Sequence, residues 1–200
     1  MIRHIAVAVL LLLGTAARAD AAAVIGKAAP PFSIQDADGK TVQLSDFEGK
    51  YVVLEWINFH CPFVGKHYGS GNMQKLQAKY TKEGVIWLSI CSSAPGKQGY
   101  VTGPEAKAGM KERGAADTDF LLDPKGIVGK AYGAKTTPHM FVIDPRGILR
   151  YDGAIDDKPS TKQEDIATAK NYLAAALDAV MAGKQVEVAA TQPYGCSVKY

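Results

Sequence analysis

The order of apolar patterns along this chain predicts an α/β domain in which a central mixed β-sheet is flanked by helices, with a β-hairpin at the N-terminal side. Two short runs, Tyr51–Ile57 and Val85–Cys91, are almost wholly apolar and rich in β-branched and aromatic residues. Such runs fit strands buried on both faces of a sheet. A helical stretch joins them, and a strand–helix–strand crossover within one sheet implies helical cover on its faces. An antiparallel hairpin and an amphipathic helix close the pattern. With 200 residues, 47% of them hydrophobic, the chain suffices for one such domain. It shows no repeat, low-complexity tract or second domain.

The elements follow in order. Arg3 precedes nine uninterrupted apolar residues, Ile5 to Leu13, and Ala17-Arg18-Ala19 fits a small-x-small cleavage site. Residues 1–19 therefore read as a signal peptide, with Asp20 as the first mature residue and a periplasmic or secreted destination. Nine residues span about 14 Å as a helix, short of the ~30 Å of a bilayer core. No other stretch is long enough to cross, so no membrane partner is expected after cleavage. Residues 20–31 read as an irregular leader. Phe32 to Leu44, turning at Asp38-Gly39, reads as the first hairpin. Ser45 to Lys50 reads as a polar loop, and the strand at 51–57 follows.

Cys61-Pro62 opens a helix, since proline is pre-organised for the first helical position. Gly65, Gly69 and Gly71 weaken that helix and predict a break near residue 70, before it resumes over Met73–Tyr80 and stops at Gly84. After the strand at 85–91, residues 92–103 read as a loop and Pro104 opens a helix to about Arg113. Phe120–Leu122 reads as a short strand and Gly126–Tyr132 as a short helix. Met140–Ile143 and Ile148–Tyr151 form the second hairpin around Asp144-Pro145-Arg146-Gly147. Thr161 and Glu164 are spaced as a capping box and predict the start of a long helix. Its apolar face would carry Ile166, Ala169, Leu173, Ala176, Leu177 and Val180, and Gly183 would end it. The domain is thus expected over 20–183, with a tail over 184–200 that carries Cys196.

Charge narrows the function classes. Arg3 and Arg18 both lie in the leader, so the formal net charge of +3 falls to +1 in the remaining chain. Nothing in that balance selects nucleic acid or an anionic surface as a partner. There is no phosphate loop, zinc-protease helix or serine triad.

Chemistry concentrates at the strand–Cys61–helix junction. A helix N-terminus offers unpaired N–H groups and a partial positive charge, and both favour thiolate over thiol. The thiolate is the nucleophile, so the position activates the sulfur. The chain has three cysteines, Cys61, Cys91 and Cys196, an odd number for an exported protein.

Val53 to Val64 reads V-L-E-W-I-N-F-H-C-P-F-V, which resembles the strand and active-site turn of thioredoxin-like proteins. Thr136-Thr137-Pro138 and the following His139-Met140-Phe141-Val142-Ile143-Asp144 resemble the cis-proline loop and next strand of that family. Gly26-Lys27-x-Ala29-Pro30-x-Phe32 and Leu44-Ser45-Asp46-Phe47-x-Gly49-Lys50 are similar to the opening of the alkyl hydroperoxide reductase/thiol-specific antioxidant group. The resemblance covers about residues 24–182. It implies a thioredoxin fold and a thiol-dependent oxidoreductase of the antioxidant, peroxiredoxin-like kind, with Cys61 at the attacking position. It also implies that Thr137 and Pro138 position an extended substrate backbone beside that cysteine. The second cysteine of the family's C-x-x-C turn is Val64 here, and this is also where the peroxidatic cysteine of peroxiredoxins aligns.

A resolving thiol then has to come from elsewhere: Cys196 in the tail, Cys91 at the end of the neighbouring strand, or an external thiol. Cys91 also fits a plain core position. His60, His67 and His139 are grouped around Cys61 by sequence and by resemblance. They can be hydrogen-bonded or surface residues, tune the thiol, or serve with Cys61 as copper ligands (Cys61, His67, His139) in a metallochaperone-like protein. Lys66 is expected to be solvated, Trp56 and Trp87 to be core, and Asp117, Asp119 and Asp123 to be loop carboxylates. The leading expectation is a redox protein without a cofactor. Its partners would be a protein or small-molecule thiol, disulfide or peroxide.

Overall fold

A computed structural model describes residues 22–200. The expected signal peptide lies outside the described residues. The strands are β1 (Ser33–Asp36), β2 (Thr41–Gln43), β3 (Val52–Trp56), β4 (Ile86–Cys91), β5 (Asp119–Leu122), β6 (Thr136–Thr137), β7 (His139–Ile143), β8 (Leu149–Gly153) and β9 (Cys196–Ser197). The helices are α1 (Pro62–Gly69), α2 (Asn72–Lys82), α3 (Gly103–Glu112), α4 (Ile127–Tyr132) and α5 (Tyr172–Met181).

Seven strands form one sheet in the order β2-β1-β5-β4-β3-β7-β8. Strand β3 pairs parallel with β4, and β4 pairs parallel with β5. The pairs β3–β7, β7–β8, β1–β5 and β1–β2 are antiparallel. Side chains alternate along β3, which explains its unbroken apolar run. Val53 packs with α1, α2 and α5, while Val52, Leu54 and Trp56 face the α4 side. Trp56 and Trp87 are core, as expected. The predicted break near residue 70 is present: Ser70 and Gly71 separate α1 from α2, and Gly71 takes the left-handed conformation at φ +73°.

Three local expectations are corrected. The stretch read as a polar loop begins with a short 3-10 turn, Leu44–Phe47. Thr161 and Glu164 do not cap a long helix. Residues Gln163–Thr168 form a 3-10 helix, and α5 starts at Tyr172 behind Asn171. The cause is tertiary. The Asp157 carboxylate accepts from the Lys170 N–H at 2.9 Å, and Asp156 bridges to Asn171. That pairing holds 169–171 extended, and Asn171 then caps α5 by accepting from Ala174 N–H at 2.8 Å. Third, of the three expected loop carboxylates Asp119 is the first residue of β5, while Asp123 is in a loop as expected and is buried. Its carboxylate accepts from Ser92 Oγ at 2.7 Å and from the N–H groups of Ile127 and Gly129 at 2.9 Å, capping α4.

Candidate active site

Cys61 stands where β3 hands over to α1. It is the N-cap residue with extended backbone (φ −83°, ψ 121°), and Pro62 opens the helix. Only 2% of Cys61 is exposed. Its Sγ donates to the Thr137 carbonyl oxygen at 2.9 Å, across the loop in which the Thr137–Pro138 peptide bond is cis.

The tail meets Cys61 at the same place. Strand β9 pairs antiparallel with β6, with Cys196 directly opposite Thr137 and Ser197 opposite Thr136. Gly195 lies against the Thr137–Pro138 peptide, and a Cβ there would collide with the Thr137 carbonyl. The residue is glycine because the backbones approach so closely, and because φ is +145°.

The electrostatics of the two thiols are linked. Burial raises the Cys61 thiol, but hydrogen bonds outweigh it and hold the thiol below the usual cysteine range. The donors available to the thiolate are the Cys196 thiol, the Thr137 hydroxyl and the N–H groups of Val64 and Cys196. The Thr137 hydroxyl is buried and has no other partner, so its free donor is available to a thiolate. Cys196 moves the opposite way, to about 11, through burial, through donating to Cys61 and through the Cys61 charge. The two thiols thus titrate apart, Cys61 low and Cys196 high.

Cys91 is buried elsewhere, with Sγ donating to the Gly99 carbonyl at 3.2 Å. Burial pushes its thiol up. The structure brings together Cys61, Cys196, Thr137 and Pro138, and leaves Cys91 outside that group.

The histidines do not converge on the sulfur. His60 is exposed, and its N–H is bound by the Asn58 side chain at 2.9 Å. His139 accepts from Lys135 N–H at its Nδ1 (3.2 Å), so its Nε2–H donates to Asp152 (2.7 Å). His67 accepts from Asn72 at its Nδ1 (2.9 Å), so its Nε2–H donates to the Tyr194 hydroxyl (3.2 Å). Burial depresses His67 to about 4, leaving it neutral. Both ring nitrogens of His67 and of His139 are thus occupied. Among the described residues no three His, Cys, Asp or Glu side chains gather as a metal site would require. The copper reading of Cys61, His67 and His139 finds no support in this geometry.

Lys66 is not solvated, contrary to expectation. It is 1% exposed, and its Nζ sits 3.2 Å from Asp156 Oδ2. Nζ also donates to the Lys158 carbonyl at 2.6 Å and to the Tyr194 hydroxyl at 3.2 Å. The Tyr194 hydroxyl donates in turn to Asp156 Oδ1. Sequence reasoning missed Asp156 and Tyr194. The only signal available was the presence of Tyr194, Val198 and Tyr200 in the tail.

A second buried cluster lies below the site. Glu55 on β3 accepts from Trp87 Nε1 at 2.8 Å, Tyr68 Oη at 3.1 Å and Gln77 Nε2 at 3.2 Å. Burial raises Glu55 to about 7 despite those donors.

A mixed sheet with a cysteine at the first turn of the helix after its central strand, facing a cis-proline loop, defines a thioredoxin-like redoxin. The thioredoxin domain of a thiol-disulfide oxidoreductase from Bacteroides vulgatus has this fold, with a TM-score of 0.51 at 18% identity over 72% of this chain and 96% of that one. A model of the AhpC/TSA family matches residues 25–152, and the chain belongs to that family. It is 31% identical over 125 residues to the thiol-disulfide oxidoreductase ResA of Bacillus thuringiensis subsp. konkukian, a match covering 62% of this chain and 65% of that protein. A hypothetical protein from Sinorhizobium meliloti 1021 superposes with a TM-score of 0.74 at 27% identity, over 90% of this chain and 96% of the other.

Proposed function

We propose that the protein is an exported thiol-disulfide oxidoreductase in which Cys61 is the nucleophile and Cys196 the resolving thiol. The observation that carries this reading is the register of β6 and β9, which sets Cys196 opposite the residue whose carbonyl holds the Cys61 thiol. The Cys61 thiolate attacks one sulfur of a substrate disulfide. That S–S bond breaks, the first substrate thiolate leaves and takes a proton from solvent, and a mixed disulfide remains. Forming it consumes the Cys61 charge, and with it one cause that holds the Cys196 thiol high. Cys196 then loses its proton to solvent and attacks the Cys61 sulfur, releasing the second substrate thiol. Two electrons have passed to the substrate, and a Cys61–Cys196 disulfide remains for an external dithiol to reduce. With its thiol engaged on the Gly99 carbonyl, outside the group around Cys61, Cys91 does not favour the resolving role.

The leader pattern over residues 1–19 supports action in the periplasm or outside the cell, where disulfides persist. One experiment covers both parts. The full chain is expressed in a Gram-negative host, recovered from the periplasmic fraction, oxidised mildly and mapped by mass spectrometry. The expected protein begins at Asp20, carries a single Cys61–Cys196 disulfide and has Cys91 free. A Cys61–Cys91 bond, or no bond involving Cys61, overturns the assignment of Cys196, and absence of the protein from the periplasmic fraction overturns export.

A further inference from the structure

The candidate nucleophile is covered by the protein's own C-terminus. An extended substrate segment beside Cys61 would need the edge of β6. The structure already spends that edge on residues 196–198: Cys196 and Ser197 pair with Thr137 and Thr136, and Val198 N–H donates to the Lys135 carbonyl at 3.0 Å. A strand edge has one set of free N–H and C=O groups and takes one partner at a time.

The tail is fastened on both sides of that stretch. Upstream, Thr191 Oγ1 bonds the Tyr151 hydroxyl at 2.7 Å and accepts from Ala154 N–H at 2.9 Å. Next comes Tyr194, whose hydroxyl takes donors from Lys66 and His67 and gives its own hydrogen to Asp156, while its ring packs on Phe63 at 5.8 Å. Downstream, the Lys199 carbonyl accepts from Ala94 N–H at 2.8 Å. The Tyr200 hydroxyl donates to the Ala134 carbonyl at 2.7 Å, and its ring lies over Gly126 and Gly129, where any Cβ would strike it. The hydroxyl of Tyr194 is the deepest of these fastenings, because Lys66, His67 and Asp156 are buried and each loses a partner without it.

We propose that the C-terminal tail is a built-in occupant of the substrate-docking edge, and that Tyr194 is the positioning residue that holds it there. This rests on the disulfide-exchange reading only where it assigns Cys196 as resolving thiol; the covering of Cys61 stands apart from it. With the tail seated, Cys196 is presented to Cys61 and external segments are excluded. With the tail released, Cys61 is open to a disulfide-bearing polypeptide segment, and re-seating brings Cys196 back to resolve the mixed disulfide. Tyr194 therefore sets both the effective concentration of Cys196 at Cys61 and the fraction of time that Cys61 is accessible.

The test uses the full-length reduced protein and reads Cys61 alkylation by iodoacetamide, resolved by peptide mass and taken at the high-pH plateau of each protein's profile, so that loss of the Cys196 donors does not enter. Tyr194→Phe removes only the hydroxyl, and Gly195→Ala drives the tail off the Thr137 carbonyl with Tyr194 intact. Each is made with Cys196 present and in a Cys196→Ser background. Cys61 alkylation is expected to rise about fivefold or more in both variants and both backgrounds, as the open fraction grows. The Cys61–Cys196 disulfide at a fixed ratio of oxidised to reduced glutathione is expected to fall by a similar factor. Alkylation within twofold of the parent for both variants, in protein with unchanged circular dichroism, overturns the proposal. If alkylation rises but the parent never forms the Cys61–Cys196 bond, the tail is the occupant and the resolving role fails. If the bond forms and alkylation is unmoved, the resolving role holds and the occupant proposal falls.

Discussion

Thr137 presents two groups near one sulfur, and only one of them is engaged. Its carbonyl accepts from the protonated Cys61 thiol, and its buried hydroxyl has no other partner. A donor that becomes satisfied only when the neighbour ionises stabilises the ion specifically. Thr137→Val keeps the shape and deletes that donor. The Cys61 pKa should rise, moving the pH profile of alkylation to higher pH. The melting temperature should hold or increase, because a buried unsatisfied hydroxyl has been removed. A profile that stays in place would show that the hydroxyl does not serve the thiolate. At this scale the cysteines, Thr137 and Pro138 were legible, because each belongs to a recognisable local pattern. Lys66 was not. A lysine on a surface helix is solvated by default, and the carboxylate that reverses this, Asp156, lies 90 residues further along the chain.

Among the elements, the strands of the seven-stranded sheet and the α1–α2 break followed from patterns within a few residues, whereas β6 and β9 did not. The last helix did not. Ser/Thr-x-x-Glu spacing is a sound capping signal, yet Ser160 rather than Thr161 makes the local side-chain bond, to Asp165. Residues 156–157 pull 169–171 out of helical geometry. The cap that operates is Asn171, so Asn171→Ala should cost about 1 kcal/mol, measured by urea denaturation. Thr161→Ala should cost nothing measurable, since that residue is exposed and makes no cap. Equal losses for the two would return the helix start to Thr161.

Across the whole molecule, the buried carboxyl of Glu55 couples the core to pH. Its folded pKa of about 7 lies above the ordinary value of 4.5, so the folded state holds a proton that the unfolded state has released between those values. This contribution is fully present below pH 4.5 and is lost as pH rises through 7, to an extent on the order of 3 kcal/mol. His67 acts in the opposite sense. With a folded value of about 4 against 6.5, it destabilises the fold as pH drops through that interval. Glu55→Gln removes the first effect while keeping a group that can meet Trp87, Tyr68 and Gln77. The variant should lose less stability than the parent between pH 5 and pH 8, tracked by denaturant titration at each pH. Parallel curves would mean that Glu55 does not carry the titration.

Residue order by itself determined the α/β class, both buried strands, the helix that begins at Pro62 and the place of Cys61 at its N-cap. These depend on periodicity, turn chemistry and caps, all of which act over a few residues. The absence of a cysteine at Val64 was equally plain. Which thiol comes near was decided only by the tertiary structure. Cys196 reaches Cys61 because β9 finds its hydrogen-bonding partner in β6, a pairing between residues some sixty positions apart. The same holds for the cluster of Lys66, His67, Asp156 and Tyr194 that seats the tail. Such contacts are selected by which polar groups would otherwise be buried without partners, and that requirement exists only once the chain has folded.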